Sequence, residues 1–293
     1  MRGDNIKSAK NNGKNEKKII QLEELSWKQL DALDRNKTIV FIPMSPLEEH
    51  GPHLPLGTDF LTARDAAKET MRLISKKKPE YISVLFPPIP LGYSKMASDF
   101  PGTISNQVKT IKTIIFDICD SLAKFGFKYF VICTFHMALG HLKGIYSGMN
   151  KAMKIHPIHI IEPWGPYFYN KEVEKREPQV GFDTKKEVHA CFRETSLMNY
   201  QYPYLVDPCY KDLQSIYRDL YSPRVLGKTF KELGINEGYV GSPARADSDY
   251  GRWYFQQIVE TITQATVDML EGKNPAVLPS QTLLMMRSMF WLK

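Results

Sequence analysis

The chain predicts an α/β fold around a mainly parallel sheet, and three observations carry that prediction. Short apolar runs rich in β-branched and aromatic residues recur at Lys37 to Pro43, Tyr81 to Phe86, Tyr129 to Cys133 and Ile158 to Ile161. Between the runs lie stretches of helical length with apolar residues at core spacing. The runs lead into polar or proline-containing turns, which is the pattern of βαβ units.

Taken in order, Glu23 to Leu33 has partial amphipathic spacing through Leu25, Leu30 and Leu33, predicting a short surface helix. The first core strand follows at Lys37 to Pro43, and a helix from about Phe60 to Ser75 comes next, with Asp59 placed to cap it. After the strand Tyr81 to Phe86, the prolines of Pro87 to Tyr93 exclude regular structure. Asp99 to Thr103 reads as a tight turn. Val108, Ile111, Ile115, Ile118 and Leu122 define a helix from Asn106 to Phe125 that Gly126 ends.

The strand Tyr129 to Cys133 delivers Thr134, Phe135 and His136 at its carboxyl end, ahead of a helix from about Gly140 to Met153. Glu162 to Lys186 shows no period and reads as a long aromatic, charged loop, the kind that closes a site or makes an interface. His189 to Ser196 opens another helix. Pro203 to Leu233 is irregular, punctuated by Pro208, Pro223 and Gly227, and a long helix spans about Arg252 to Leu270. These readings divide the chain into a basic tail (1–20), one α/β domain (21–272) and an apolar extension (273–293) that docks on its own core or on a neighbouring subunit.

Composition narrows the function classes. With 43% hydrophobic and 12% aromatic residues over 293 positions the chain can bury a large core. The net charge of +7 is partly local, since Arg2, Lys7, Lys10, Lys14, Lys17 and Lys18 crowd the first eighteen residues. Such a tail attracts polyanions without defining a nucleic-acid-binding fold, so no nucleic acid partner is expected. The apolar runs fall short of the roughly 20 residues that cross a bilayer. No signal peptide is read, and a soluble cytoplasmic protein is expected. Cys119, Cys133, Cys191 and Cys209 have neither metal-ribbon nor disulfide spacing. Dinucleotide, phosphate-loop and nucleophile-elbow motifs are absent from the sequence.

The chemistry concentrates in Pro43 to Asp59. Glu48, His50, His53 and Asp59 place two carboxylates and two imidazoles within twelve residues, at the carboxyl end of a strand. In an extended segment Glu48 and His50 face one side while Glu49 turns away, which makes Glu49 the natural negative control. With His136 and Glu194 these residues form a candidate metal set: Glu48, His50, Asp59, His136 and Glu194. Carboxylate and imidazole donors without thiolates suit zinc, manganese or iron(II). Two ions sharing Asp59 would use all five donors and leave room for a water able to attack a carbonyl. His189 is the candidate for proton transfer to the leaving nitrogen, with Glu194 in the same short segment.

Competing readings remain open on residues alone. The first cluster is compatible with solvated loop polarity. His53, flanked by Pro52 and Leu54-Pro55, fits a packed hydrogen-bonded role, and His136 alone fits a core or capping role. His141, His156, His159 and the cysteines fit structural positions.

The segment Glu48-Glu49-His50-Gly51-Pro52-His53-Leu54-Pro55-Leu56-Gly57-Thr58-Asp59 resembles the E-x-H-G-x-H-L-P-x-x-T-D motif of the creatininase (creatinine amidohydrolase) family. Phe100-Pro101-Gly102-Thr103, His189 to Ser196 and, more weakly, Gly241-x-Pro243 extend the resemblance over about Ile39 to Leu270. It implies a three-layer α/β/α subunit, two divalent ions per subunit, a small-molecule amide substrate and a homo-oligomer, ring-like or hexameric. Carried over by motif, Glu48, Asp59 and His136 hold one ion, and His50, Asp59 and Glu194 the other. Two departures bear on substrate. The family's N-G-H-G-G-N stands here as Thr134-Phe135-His136-Met137-Ala138-Leu139, and Ala97 replaces a histidine found in many members. The reading is a dinuclear amidohydrolase acting on a small cyclic amide, formamide or related amide. The alternatives are a peptide-trimming metallopeptidase of the same fold and a non-catalytic ligand-binding or assembly module.

Overall fold

The computed structural model describes residues 19–220, 225 and 227–289. Most of the basic tail (1–18), Pro223 and the last four residues of the apolar terminus lie outside the described residues. Five parallel strands form one sheet in the order β1-β3-β2-β4-β5: β1 (Ile20–Gln21), β2 (Thr38–Pro43), β3 (Ile82–Leu85), β4 (Tyr129–Cys133) and β5 (His159–Ile161). Pairing is in register from Ile39↔Tyr129 to Pro43↔Cys133, so the carboxyl ends of β2 and β4 emerge side by side.

Alternation along the strands divides the core into two layers, as a sheet covered on both faces requires. Ile39, Phe41, Val131 and Cys133 pack with α2 (Thr58–Lys77), α7 (Phe192–Gln201) and α8 (Ser248–Leu270). Val40, Ile42, Phe130 and Ile132 pack with α3 (Val108–Ala123) and α4 (Leu139–Ile155). The result is the three-layer α/β/α arrangement with a parallel central sheet.

Several elements depart from the sequence reading, each for a local reason. Ile19 already packs on the core and Ile20 pairs in β1, ahead of the boundary read after residue 20. Only Trp27–Asp31 of the first helix is α-helical (α1), because a capping box starts it. Gln29 N donates to Ser26 Oγ and Ser26 N donates to Gln29 Oε1. The stretch read as a loop over Glu162 to Lys186 contains α5 (Trp164–Tyr169) and α6 (Glu172–Arg176), too short to show a helical period. Helix α8 begins four residues earlier than Arg252, because Asp247 Oδ1 accepts from Asp249 N and Tyr250 N. Asp59 is not the cap of α2. Gly57 holds that position without a side-chain bond, and Asp59 sits in the first turn.

Helix α4 lies close against α3 because Gly144 and Gly148 present no side chain there. A Cβ at Gly148 would fall 2.7 Å from Lys112 O and 2.9 Å from Ile115 Cβ. Gly148→Ala is therefore expected to destabilise the fold by about 1–3 kcal/mol despite the better helix propensity of alanine. A lower urea midpoint at unchanged slope would show it, and an unchanged midpoint would count against this tight packing.

Candidate metal centre

The two central strands end in loops that are tied together before they deliver any ligand. Met44 N donates to Cys133 O at 2.9 Å, and Phe135 N donates to Ser45 Oγ at 3.0 Å. Thr134 Oγ1 lies 3.1 Å from both Ser45 Oγ and His141 Nε2. His141 is buried and neutral, its pKa lowered to about 3 by burial and by the nearby His136. It is a structural member of this clamp.

From the clamped loops and the first turn of α2, three segments meet. Asp59 Oδ2 lies 2.9 Å from His136 Nδ1, and Asp59 Oδ1 lies 3.4 Å from His50 Nε2. Glu48 Oε2 is 2.9 Å from the same His136 Nδ1. Glu48, His50 and Asp59 offer donor atoms all within 4.8 Å of one another, and so do His50, His189 and Glu194. The structure thus brings Glu48, His50, Asp59, His136 and Glu194 together, with His189 beside them. His50 and His189 stand at a ring separation of 4.5 Å.

Outer contacts choose which nitrogen each imidazole presents. His50 Nδ1 donates to Glu48 O at 3.0 Å, leaving Nε2 toward Asp59. His136 Nε2 donates to Tyr93 O at 3.0 Å, leaving Nδ1 toward Glu48 and Asp59. Such backbone partners fix the tautomer of metal-ligating histidines. Glu194 Oε2 is buried without a hydrogen-bond partner, and Glu48 Oε2 and His50 Nε2 face only the ion-pair contacts with His136 and Asp59 inside the cluster, the condition a bound cation relieves. The donor set of carboxylates and imidazoles fits a divalent ion.

Charge is balanced here by protons. Burial alone would raise the Glu48 pKa, yet His136, His189 and His50 hold it down at about 2. Asp59 is lowered against the same burial penalty by His50 and His136. His136, which burial would push down, is raised to about 10 by Glu48 and Asp59. His50 is likewise raised, by Asp59, Glu194 and Glu48. For Glu194 burial wins over His50 and His189, and its pKa rises.

The second half of the site comes from the segment before α7. Glu187 Oε2 accepts from Phe192 N and Ser242 N, both at 2.9 Å, and pins the start of that helix. His189 pairs with Val240 through backbone bonds, and Ala190 follows at φ +45°, a left-handed turn in an alanine. His53 shares a 2.8 Å bond between Nε2 and Thr195 Oγ1. It therefore braces the segment and is not among the clustered donors. His156 pairs with Asp120 and His159 stacks on Tyr129, both away from the centre.

Glu49, read from the sequence as a negative control, instead touches the site through His189. It is buried, and His189 Nε2 donates to Glu49 O at 2.9 Å while lying 3.3 Å from Glu49 Oε1. The sequence reading left Trp164 open between core packing and a substrate wall, and it missed Ser94. Both are buried beside a cavity of about 230 Å³ that Glu48, Asp59, His136, His189 and Glu194 line at one end. Ser94 Oγ and Trp164 Nε1 have no partner among the described residues. No local motif marks either one.

The sequence pattern of the family described as Creatininase, creatinine amidohydrolase, matches residues 23–266. The chain belongs to the creatininase family. A creatinine amidohydrolase of Pseudomonas putida is 25% identical over 65% of this chain and 75% of its own length. A mycofactocin precursor peptide peptidase of Mycobacterium ulcerans is 30% identical over 36% of this chain and 44% of its own length. A solved structure described as "Creatininase Mn" superposes with a TM-score of 0.70 at 22% identity, covering 86% of this chain and 99% of that one. That likeness gives the fold.

Because His136 and His50 carry protons that a metal would displace, loading with zinc at pH 7 is expected to release protons. Apparent affinity should fall by about tenfold per pH unit for each proton released as the solution is acidified. Calorimetric titration in two buffers of different ionisation enthalpy measures this. Metal uptake with no proton release would contradict the assigned protonation.

Proposed function

We propose that the chain is a metal-dependent amidohydrolase that cleaves a C–N bond of a small cyclic amide, formamide or related amide. The observation that carries this reading is the convergence of Glu48, His50, Asp59, His136 and Glu194, four of them in the lining of one cavity, with buried donor atoms among them that lack a hydrogen-bond partner. Family membership supports the reaction class.

In this reading Glu48, Asp59 and His136 hold one divalent ion, and His50, Asp59 and Glu194 hold a second. Zinc, manganese and iron(II) all suit the donors. Ions bound there supply an acidified water and a Lewis-acid contact for the amide carbonyl. His189 lies in the cavity wall next to Glu194 and is oriented by Glu49, so it is the group placed to hand a proton to the departing nitrogen. The apolar remainder of the wall, including Phe135, Met137 and Phe230, keeps bulk water from the bond being cut.

Peptide trimming is the second reading, favoured by the similarity to the mycofactocin precursor peptide peptidase. Amine release from short peptides but not from small amides would select it.

Outer-sphere partners of a metal site are worth about 10–100-fold in activity or affinity, so removing Asp59 itself should cost more than about 100-fold. Asp59→Ala is expected to lose both bound metal and turnover of small amides, measured by elemental analysis and amine release. Full metal loading with turnover unchanged in Asp59→Ala would overturn the assignment.

A further inference from the structure

The chain continues past the stretch that matches the family, which ends at residue 266, and folds back over its own cavity. Helix α9 (Ser280–Ser288) docks on α4 and α5. Leu278 and Met286 are buried in a cluster with Leu142, against which Met137, Leu139 and Tyr169 pack. Asn170 Nδ2 donates to Val277 O at 3.2 Å, and Lys143 Nζ donates to Met289 O. This docking brings Met285 and Met289 into the lining of the cavity that holds the ligand cluster.

They share that lining with Met137 and Leu139, the two residues flanking Ala138 just after His136, and with Phe168 of α5. Together they make an apolar part of the cavity wall. Apart from the clustered donors, the charged residues among the described lining are Lys95 and Lys228, and both are exposed to solvent. Ser94 Oγ and Trp164 Nε1 are unpartnered polar atoms in that lining among the described residues, enough to meet one polar group of a substrate; a larger polar body would leave groups buried unpaired, which is unfavourable. Methionines suit an apolar group of variable shape, because the thioether chain is unbranched and adaptable.

We propose that the C-terminal helix is the specificity element of this chain: Met285 and Met289 complete an apolar wall, and the amide accepted carries an aliphatic or aromatic group several carbons long beside its C–N bond. This rests on the amidohydrolase reading above and names the substrate class within it. Each methylene seated on the wall is worth about three- to fivefold in affinity, from the transfer free energy of a buried CH₂.

The test uses the full-length protein loaded with zinc and a series of straight-chain hydroxamates, from acetohydroxamate to hexanohydroxamate, with dissociation constants from calorimetry. Affinity is expected to rise by about 100-fold across the series. The ratio between the longest and shortest probes should fall at least about tenfold in Met285→Ala/Met289→Ala and recover in Met285→Leu/Met289→Leu. That recovery separates wall packing from mere loss of the helix. A flat series in wild type, or an undiminished ratio in the double alanine variant, overturns the proposal.

The same series is read in metal-free protein by quenching of tryptophan fluorescence, since Trp164 lines the cavity. A protein that takes up no ion yet still prefers the longer chains upholds the wall and refutes the metal reading. Absence of any length preference in both forms refutes the wall.

Discussion

Everything at the centre turns on one buried carboxylate. Asp59 places its two oxygens against two different imidazoles, those of His50 and His136, and is almost wholly withdrawn from water. A buried charge persists only when paired and hydrogen-bonded. The three segments that meet at Asp59 are therefore bound to one another electrostatically as well as through the core. Its place in the first turn of α2 adds the favourable end of the helix dipole.

The fold prepares that meeting. Parallel pairing of β2 with β4 sets two strand ends side by side, and the Ser45, Thr134 and His141 clamp fixes the loops that leave them. Ligands arriving from α7 need a second support, which Glu187 and the strained turn at Ala190 provide. Strand ends and helix starts thus hold the clustered side chains, while other parts of the cavity wall come from the short α5 and from α9.

How much of this was legible in sequence depended on the length scale of the signal. Strand β4 and helix α3 carry regular apolar patterns, and their places were readable from them. The strand-end position of Glu48, His50 and His136 was readable for the same reason. Helices of five or six residues, such as α5 and α6, show too little periodicity to read, and the two-residue β1 exists only because β3 is there to pair with it. Alternation made Glu49 a negative control and could not say that it would meet His189, a contact made across 140 residues. Ser94 and the methionines Met285 and Met289 enter the cavity through tertiary packing, which no local spacing records, whereas Trp164 could be singled out as an aromatic of a long loop but not assigned between core and wall. Asp59 as a helix cap failed because a stronger partner, the imidazole pair, competed for the same carboxylate.

The central proposal is that Asp59 would be shared between two ions held among Glu48, His50, His136 and Glu194. Anomalous diffraction from crystals loaded with manganese or zinc tests it most directly. Two peaks about 3.5–4 Å apart, both within bonding reach of the Asp59 carboxylate, are the result this account requires. Peaks located away from that carboxylate, or a loaded crystal with none in the cluster, would contradict it.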